Sequence, residues 1–403
     1  MVYVHVPFCR SFCTYCGFYS EVCRDAAAVG AYVNDLCREA ERRAGEIRAT
    51  CGTDTLYIGG GTPSVLPLSA LEKIVTAVRA AGGRENDPFG EFTIEANPED
   101  IVEKGADYAR GLRGLGADRI SMGVQSFDDG LLRWMNRRHT AARAKEAVRL
   151  LREAGFANLS IDLIFGISGL SDETWEDTIV QALALAPEHI SAYQLSVEEG
   201  SALAAQVASG RYAEVSDERC RHQYDLLCRH LAEAGYRHYE ISNFARPGFE
   251  ARHNSAYWRR VPYVGLGPGA HSFSVCRADG DTPGAGPAAG ELVVREIRRW
   301  NSETPAGWAA SSEERLTAED VRVETLMLGL RTDRGLPAEQ FFALASSEAA
   351  ARLLAEGCLA EISAVTGESG CAAARSGDGR PERRIRIPED HFFVSDEIIR
   401  ELI

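Results

Sequence analysis

Short apolar, β-rich runs return along the chain about every 30–50 residues, at 2–8, 55–58, 91–96, 119–124, 158–165 and 189–197. Between them, apolar residues recur with helical spacing over 31–48, 68–80, 141–154, 174–185 and 217–233. Gly155 and Gly235 stand where helices are expected to stop, because glycine takes the left-handed residue that ends a helix without strain. Strand alternating with helix predicts parallel strands joined by right-handed crossovers. Six such units predict an α/β fold, a partial (β/α)6 TIM-like barrel, with a doubly wound open sheet as the alternative.

In either architecture the working site lies at the carboxyl ends of the strands. Polar residues of unlike chemistry fall there. A cysteine loop follows the first run, and Gly59-Gly60-Gly61-Thr62-Pro63 follows the second. Glu95 and Asn97 close the third and Gln125 closes the fourth, while Asp162 lies inside the fifth and Gln194 inside the sixth. The glycine triplet reads either as a tight turn or as close backbone approach to a polar ligand, with its N–H groups as donors. Glu95, a carboxylate among Phe92, Ile94 and Ala96, is placed to receive an amine or hydroxyls. Asp162 sits between Ile161 and Leu163, where a lone charge is costly, so it should have a partner. Arg137, in Met135-Asn136-Arg137-Arg138-His139, is either a surface charge or a clamp for a carboxylate.

The cysteines carry the strongest signal. Cys9, Cys13 and Cys16 lie within eight residues. Three thiolates on one loop can hold three corners of an iron–sulfur cube, leaving one iron open to an exchangeable ligand. Structural zinc needs a fourth ligand, for which only the singly placed Cys23, Cys37 and Cys51 are at hand. A disulfide scaffold is disfavoured by the odd total of 11 cysteines and by strand-like sequence beginning at Met1, which together predict a reducing, cytoplasmic setting.

At 403 residues the chain has room for one large domain and a smaller one. No run reaches the ~18 apolar residues of a membrane span, so no integral membrane segment is expected. The formal net charge of −15 argues against a phosphate-tracking surface and a nucleic-acid partner.

The loop Cys9-x-x-x-Cys13-x-Tyr15-Cys16 resembles that of the radical S-adenosylmethionine (SAM) superfamily, and the spaced motifs extend the likeness over about the first 275 residues. The resemblance implies a [4Fe–4S] cluster on Cys9, Cys13 and Cys16, with SAM on the open iron and Tyr15 beside the adenine. It places Gly60, Gly61 and Thr62 near the SAM amino group. It matches Tyr3, Glu95, Gln125, Arg137 and Asp162 to other SAM-contacting positions of the oxygen-independent coproporphyrinogen III oxidase branch, which also shares Ser121-Met122-Gly123-Val124-Gln125-Ser126-Phe127.

Within that branch the chain is more similar to the HemW-type haem chaperones than to the decarboxylating enzymes. The enzymes have a further cysteine two residues past the third, where this chain has Phe18, and they extend further upstream of the cluster loop. The segment His253-Asn254-Ser255-Ala256-Tyr257-Trp258, preceded by Tyr239-Glu240-Ile241-Ser242-Asn243-Phe244, matches the H-N-x-x-Y-W motif of the chaperones. The resemblance implies haem binding at His253, with an imidazole able to ligate iron and aromatic rings able to cover a porphyrin. A buried core histidine is the other reading of that residue, and His271 is a competing ligand. Haem and a haem-acceptor protein are then the expected partners. The alternative is a radical SAM enzyme of porphyrin metabolism, either a coproporphyrinogen III dehydrogenase or a methyltransferase.

Residues 278–290 and 366–383 are low in complexity and read as linkers or surface insertions, flanking helical patterning over 314–359. A strand at 385–387 and a helix near 395–402 follow, resembling the family's small α-rich, winged-helix-like C-terminal domain. The expected division is 1–240 for the radical SAM barrel, 241–310 for the HNxxYW segment and linker, and 311–403 for the C-terminal domain.

Overall fold

Six strands form where the apolar runs predict them: Val2–Val6, Thr55–Gly60, Glu91–Ala96, Arg119–Gln125, Asn158–Phe165 and His189–Gln194. The structure, a computed structural model, describes residues 1–23, 25–50, 54–85, 87–278, 293–363 and 382–403. These strands are buried along most of their length, as parallel strands covered on both faces must be. Helices follow them, several opened by a side chain that accepts a hydrogen bond from the first turn: Asp25, Asn97, Ser171 and Ser216.

Two helical regions depart from the periodicity. The pattern over 31–48 resolves into helices Ala26–Arg42 and Ala44–Ala49, which meet at Arg43. Helix Pro98–Gly114 has no counterpart among the predicted helices, because non-helical Gly105 (φ 73°, ψ −171°) interrupts its apolar spacing.

The chain forms two compact units. The first comprises residues 1–121, 142–157 and 261–321. Its strands run in the order Val264–Leu266, Val2–Val6, Thr55–Gly60, Glu91–Ala96, then the start of Arg119–Gln125. Val2 stands opposite Val264 on one side and Leu56 on the other; both pairings are parallel, as is that of Thr55–Gly60 with Glu91–Ala96. An antiparallel sheet of His271–Ala278, Val293–Asn301 and Ala310–Arg315 completes the unit. The sequence reading did not anticipate it. The two low-complexity stretches lie almost wholly outside the described residues.

Glu39 is the keystone of this unit. Its buried carboxylate accepts from Gly267 N at 2.9 Å, Asn301 Nδ2 at 2.9 Å and Trp308 Nε1 at 2.7 Å. Arg43, one turn on, donates to Gly265 O at 2.6 Å and Ser272 Oγ at 2.9 Å. One turn of helix thus fastens segments more than two hundred residues away.

The second unit comprises residues 122–141, 158–260 and 322–403. Here Asn158–Phe165 pairs in parallel with His189–Gln194, which Asn243–Ala245 and then Arg237–Glu240 extend antiparallel. Its C-terminal part holds helices Ala338–Leu344, Ser347–Ala355 and Ser395–Leu402 with an antiparallel sheet ordered Leu336–Pro337, Arg383–Arg386, Ala360–Ser363. This is the α-rich, winged arrangement expected. Among the described residues no helix is long and apolar enough to cross a membrane.

Replacing Glu39 with Ala leaves Gly267 N and Trp308 Nε1 without their acceptor, while Asn301 Nδ2 keeps Gly267 O, which predicts a loss of roughly 3–5 kcal/mol in denaturant unfolding. An unchanged midpoint would show that these donors find other partners.

Candidate functional site

The first unit builds the cysteine loop on the ends of its first two strands. Cys9, Cys13 and Cys16 are half-buried thiols. Phe8–Cys9 pairs with Glu21–Val22, and Cys23 N donates to Cys9 O at 2.8 Å, which closes the loop at its base. From the neighbouring strand, Gly61 N donates to Val6 O at 2.7 Å and Thr62 N to Phe8 O at 2.8 Å. Gly60 N donates to Glu95 Oε2 at 3.1 Å.

These three bonds correct the reading of the glycine motif as a set of donors awaiting a ligand. Its N–H groups are spent on the protein, and two of them hold the cysteine loop. Glycine is required for that approach. A Cβ on Gly61 would lie 2.9 Å from Phe8 O and 3.1 Å from Cys9 Sγ, and Gly60 has a φ of 111° with the His5 ring where its Cβ would be. A ligand amine, itself a donor, would in any case need carbonyl oxygens here.

The segment is locked from behind. Buried Ser64 donates to Asp100 Oδ2 at 2.9 Å and accepts from Asn97 N at 3.0 Å. Lys104 donates to Val65 O at 3.0 Å and Leu66 O at 2.7 Å, and burial brings its amine down to about 8. Arg10, between the cysteines' strand and Ser11, pairs with Asp100 at 3.4 Å and with Glu103.

Glu95 and Tyr3 each bond a further side chain that the sequence reading passed over, Tyr57 and His5 respectively. Tyr57 donates to Glu95 Oε1 at 2.7 Å, and its ring lies 6.1 Å from that of Tyr3. The Tyr3 hydroxyl meets His5 Nδ1 at 3.0 Å, while His5 Nε2 faces Tyr19 O at 2.9 Å. A carbonyl only accepts, so Nε2 carries the proton and Nδ1 accepts from Tyr3. Burial lowers the His5 pKa, which keeps the ring neutral, and burial followed by the Glu95 charge raises Tyr3 well above its ordinary value. Two polar residues at alternate positions in an otherwise apolar strand were the available signal. Tyr15 is half-buried beside buried Thr14.

In the second unit, Gln125 ends its strand with a left-handed backbone, φ 69°. Its Oε1 is buried without a hydrogen-bond partner. Arg137 reaches back to donate to Gly123 O, and a Cβ on Gly123 would stand 2.9 Å from Gln125 Nε2 and 3.2 Å from Arg137 Nη2. His139 meets Val124 O at 3.0 Å through Nε2, and burial with the Arg137 charge lowers it to about 3. Asp162 is half-buried and takes a hydrogen bond from Ser160 Oγ at 3.5 Å.

His253 is 1% exposed, on helix Arg252–Trp258, with its Nε2 3.1 Å from the Tyr257 hydroxyl. His271, in the first unit, is exposed and stacks on Trp300 with ring centroids 5.9 Å apart.

The chemistry of three half-buried thiols on one loop fits an iron–sulfur cluster. A cubane takes each thiolate on a different iron, and Cys9 Sγ lies 3.4 Å from the Thr62 hydroxyl, a polar neighbour suited to a sulfur anion. In the second unit the orphaned Gln125 oxygen is a buried acceptor that a ligand donor would satisfy.

Comparison with known proteins agrees. The radical SAM superfamily profile matches residues 3–182. The heme chaperone HemW of Synechocystis sp. is 35% identical over 83% of this chain and 78% of its own length. The chain belongs to the HemW family of radical SAM proteins. HemW of Bacillus subtilis is 32% identical over 84% of the chain and 85% of its own length. A mouse relative, radical S-adenosyl methionine domain-containing protein 1, mitochondrial, is 32% identical over 83% of the chain and 74% of its own length. Coproporphyrinogen III oxidase (HemN) from Escherichia coli shares the fold, with a TM-score of 0.69 at 20% identity over 99% of this chain and 88% of its own. Superfamily membership implies SAM and a [4Fe–4S] cluster.

Gly61→Ala is predicted to cut iron and acid-labile sulfide retained after anaerobic reconstitution by about ten-fold, with far-UV circular dichroism unchanged. Full cluster content in that variant would show that the loop does not depend on this approach.

Glu240, in the segment before the HNxxYW helix, is 1% exposed and accepts from Ser242 N at 3.0 Å and from Asn243 Nδ2. Burial raises its pKa to about 7. The folded state therefore holds this proton more tightly than the unfolded state, so its stabilisation is complete below the ordinary 4.5 and is lost as pH rises through 7. Wild-type stability should fall by roughly 3 kcal/mol across that window from this group, and Glu240→Gln should flatten the profile in urea titrations at each pH.

Proposed function

We propose that this protein binds haem and transfers it to an acceptor protein, using a SAM-bound [4Fe–4S] cluster in a reductive or regulatory role. The observation that carries this reading is the 35% identity to the Synechocystis heme chaperone over 83% of the chain. Phe18 supports it. At the position where the decarboxylating enzymes have a further cysteine, this side chain is 73% exposed, an apolar surface beside the cysteine loop.

Cys9, Cys13 and Cys16 would hold the cluster, which when bound supplies an electron to the SAM sulfonium. Tyr15 would lie against the adenine. Gly60, Gly61 and Thr62 would meet the amino group through carbonyl oxygens. Tyr3 and Glu95 would bind and orient the nucleoside, as would Gln125, Arg137 and Asp162. His253 would serve as a haem ligand, for which the Tyr257 hydroxyl must release its Nε2. Residues 1–240 would form the SAM-binding barrel, and 311–403 a cover or docking module for the acceptor. An acidic chain of net charge −15 suits a protein acceptor in the cytoplasm rather than nucleic acid.

The HemN-like fold favours a second reading, oxidative decarboxylation of coproporphyrinogen III. A haem titration of cluster-loaded protein, followed by optical absorbance, separates the two. Stoichiometric uptake is expected, weakened about ten-fold or more in His253→Ala. SAM-dependent conversion of coproporphyrinogen III to protoporphyrinogen IX would overturn the chaperone reading.

A further inference from the structure

Inside the second unit, a line of hydrogen bonds runs from Asp162 to the start of the His253 helix. Ser160 Oγ donates to Asp162 Oδ1 at 3.5 Å and meets His189 Nδ1 at 2.8 Å. His189 Nε2 meets the Tyr239 hydroxyl at 2.8 Å, and that hydroxyl accepts from Ala251 N at 3.3 Å. Ser160 and His189 are fully buried and Tyr239 is 4% exposed. Ala251 is the N-cap of helix Arg252–Trp258 and has no side chain able to cap it. Tyr239 therefore anchors the entry to the helix.

The polarity of this line follows from its ends. An ionised Asp162 only accepts, which commits the single Ser160 proton to it. Ser160 Oγ must then accept from His189 Nδ1–H, so His189 Nε2 accepts from Tyr239. The backbone N–H of Ala251 only donates, which suits the Tyr239 oxygen. A ligand hydroxyl that also donates to Asp162 competes with Ser160 for the carboxylate. Any movement of Ser160 Oγ is then passed through His189 to the Tyr239 hydroxyl and the Ala251 N–H, with every proton kept on its own atom.

We propose that Ser160, His189 and Tyr239 are positioning residues that couple occupancy of Asp162 by the hydroxyls of a SAM-type nucleoside to the position of the helix carrying His253. This rests on the assignments of Asp162 and His253 made above. A purely structural network would hold the helix equally with or without nucleoside.

The test is amide hydrogen exchange over residues 251–258 in cluster-loaded protein, with and without SAM, and with methionine as a probe lacking the ribose. SAM should change exchange there by about five-fold, methionine should not, and Tyr239→Phe should abolish the SAM effect while still binding SAM. SAM binding with no change in wild type, or the same change in Tyr239→Phe, would overturn the coupling. Should Tyr239→Phe fail to fold, 15N spectra of histidine-labelled wild type decide the matter. The His189 ring-nitrogen shifts should change on adding SAM with the Nδ1–H tautomer kept, and unchanged nitrogen shifts would overturn the proposal. The haem titration is read separately, so a protein that takes up no haem refutes the chaperone function while the exchange data still judge the coupling.

Discussion

Two backbone hydrogen bonds, Gly61 N to Val6 O and Thr62 N to Phe8 O, hold the cysteine loop against the end of the adjacent strand. The placement of Cys9 and of the base of the cysteine loop depends on them. A loop bearing three cysteines has many conformations, and these bonds select among them. Here the strand register carries past its last residue into the loop, so the rigidity of the sheet extends to Cys9. The cost is a chain segment that tolerates no Cβ, which is why glycine stands at 60 and 61.

The rest of the first unit protects this arrangement with buried polar groups that are each satisfied. Asp100 accepts from Ser64 and pairs with Arg10, so one carboxylate serves both the glycine segment and the cysteine loop. Lys104 covers carbonyls of the turn that follows, and Glu39 gathers three donors from segments far along the chain. Buried charges are expensive unless fully partnered, and a partnered one fixes geometry more sharply than apolar packing does.

A shared fold does not decide between radical enzyme and haem chaperone, since activity resides in particular side chains. This chain and the HemN enzyme share the fold at 20% identity, and the fold alone. The chaperone reading proposed above leans instead on exposed Phe18 beside the cysteine loop and on the Tyr239–Phe244 and His253–Trp258 segments of the second unit. There the tyrosine of the first segment anchors the helix of the second, which gives the two motifs a physical reason to occur together.

Much of this was legible in the sequence. Six apolar runs became six strands, because burial on both faces of a parallel sheet writes itself into local composition. The cysteine spacing was legible because Cys9, Cys13 and Cys16 lie within one short segment. Helix Pro98–Gly114 was hidden by its own Gly105, and the antiparallel sheet beginning at His271 by strands whose pairing is read only across the chain. The destinations of hydrogen bonds were out of reach altogether. No pattern along the chain shows that the N–H groups of the glycine segment turn inward to Val6 and Phe8, or that Tyr57 completes Glu95. The sequence by itself determined the elements and the chemical types at their ends, which depend on near neighbours. Only the tertiary structure decided which donor meets which acceptor, because those partners are brought together by folding over tens to hundreds of residues.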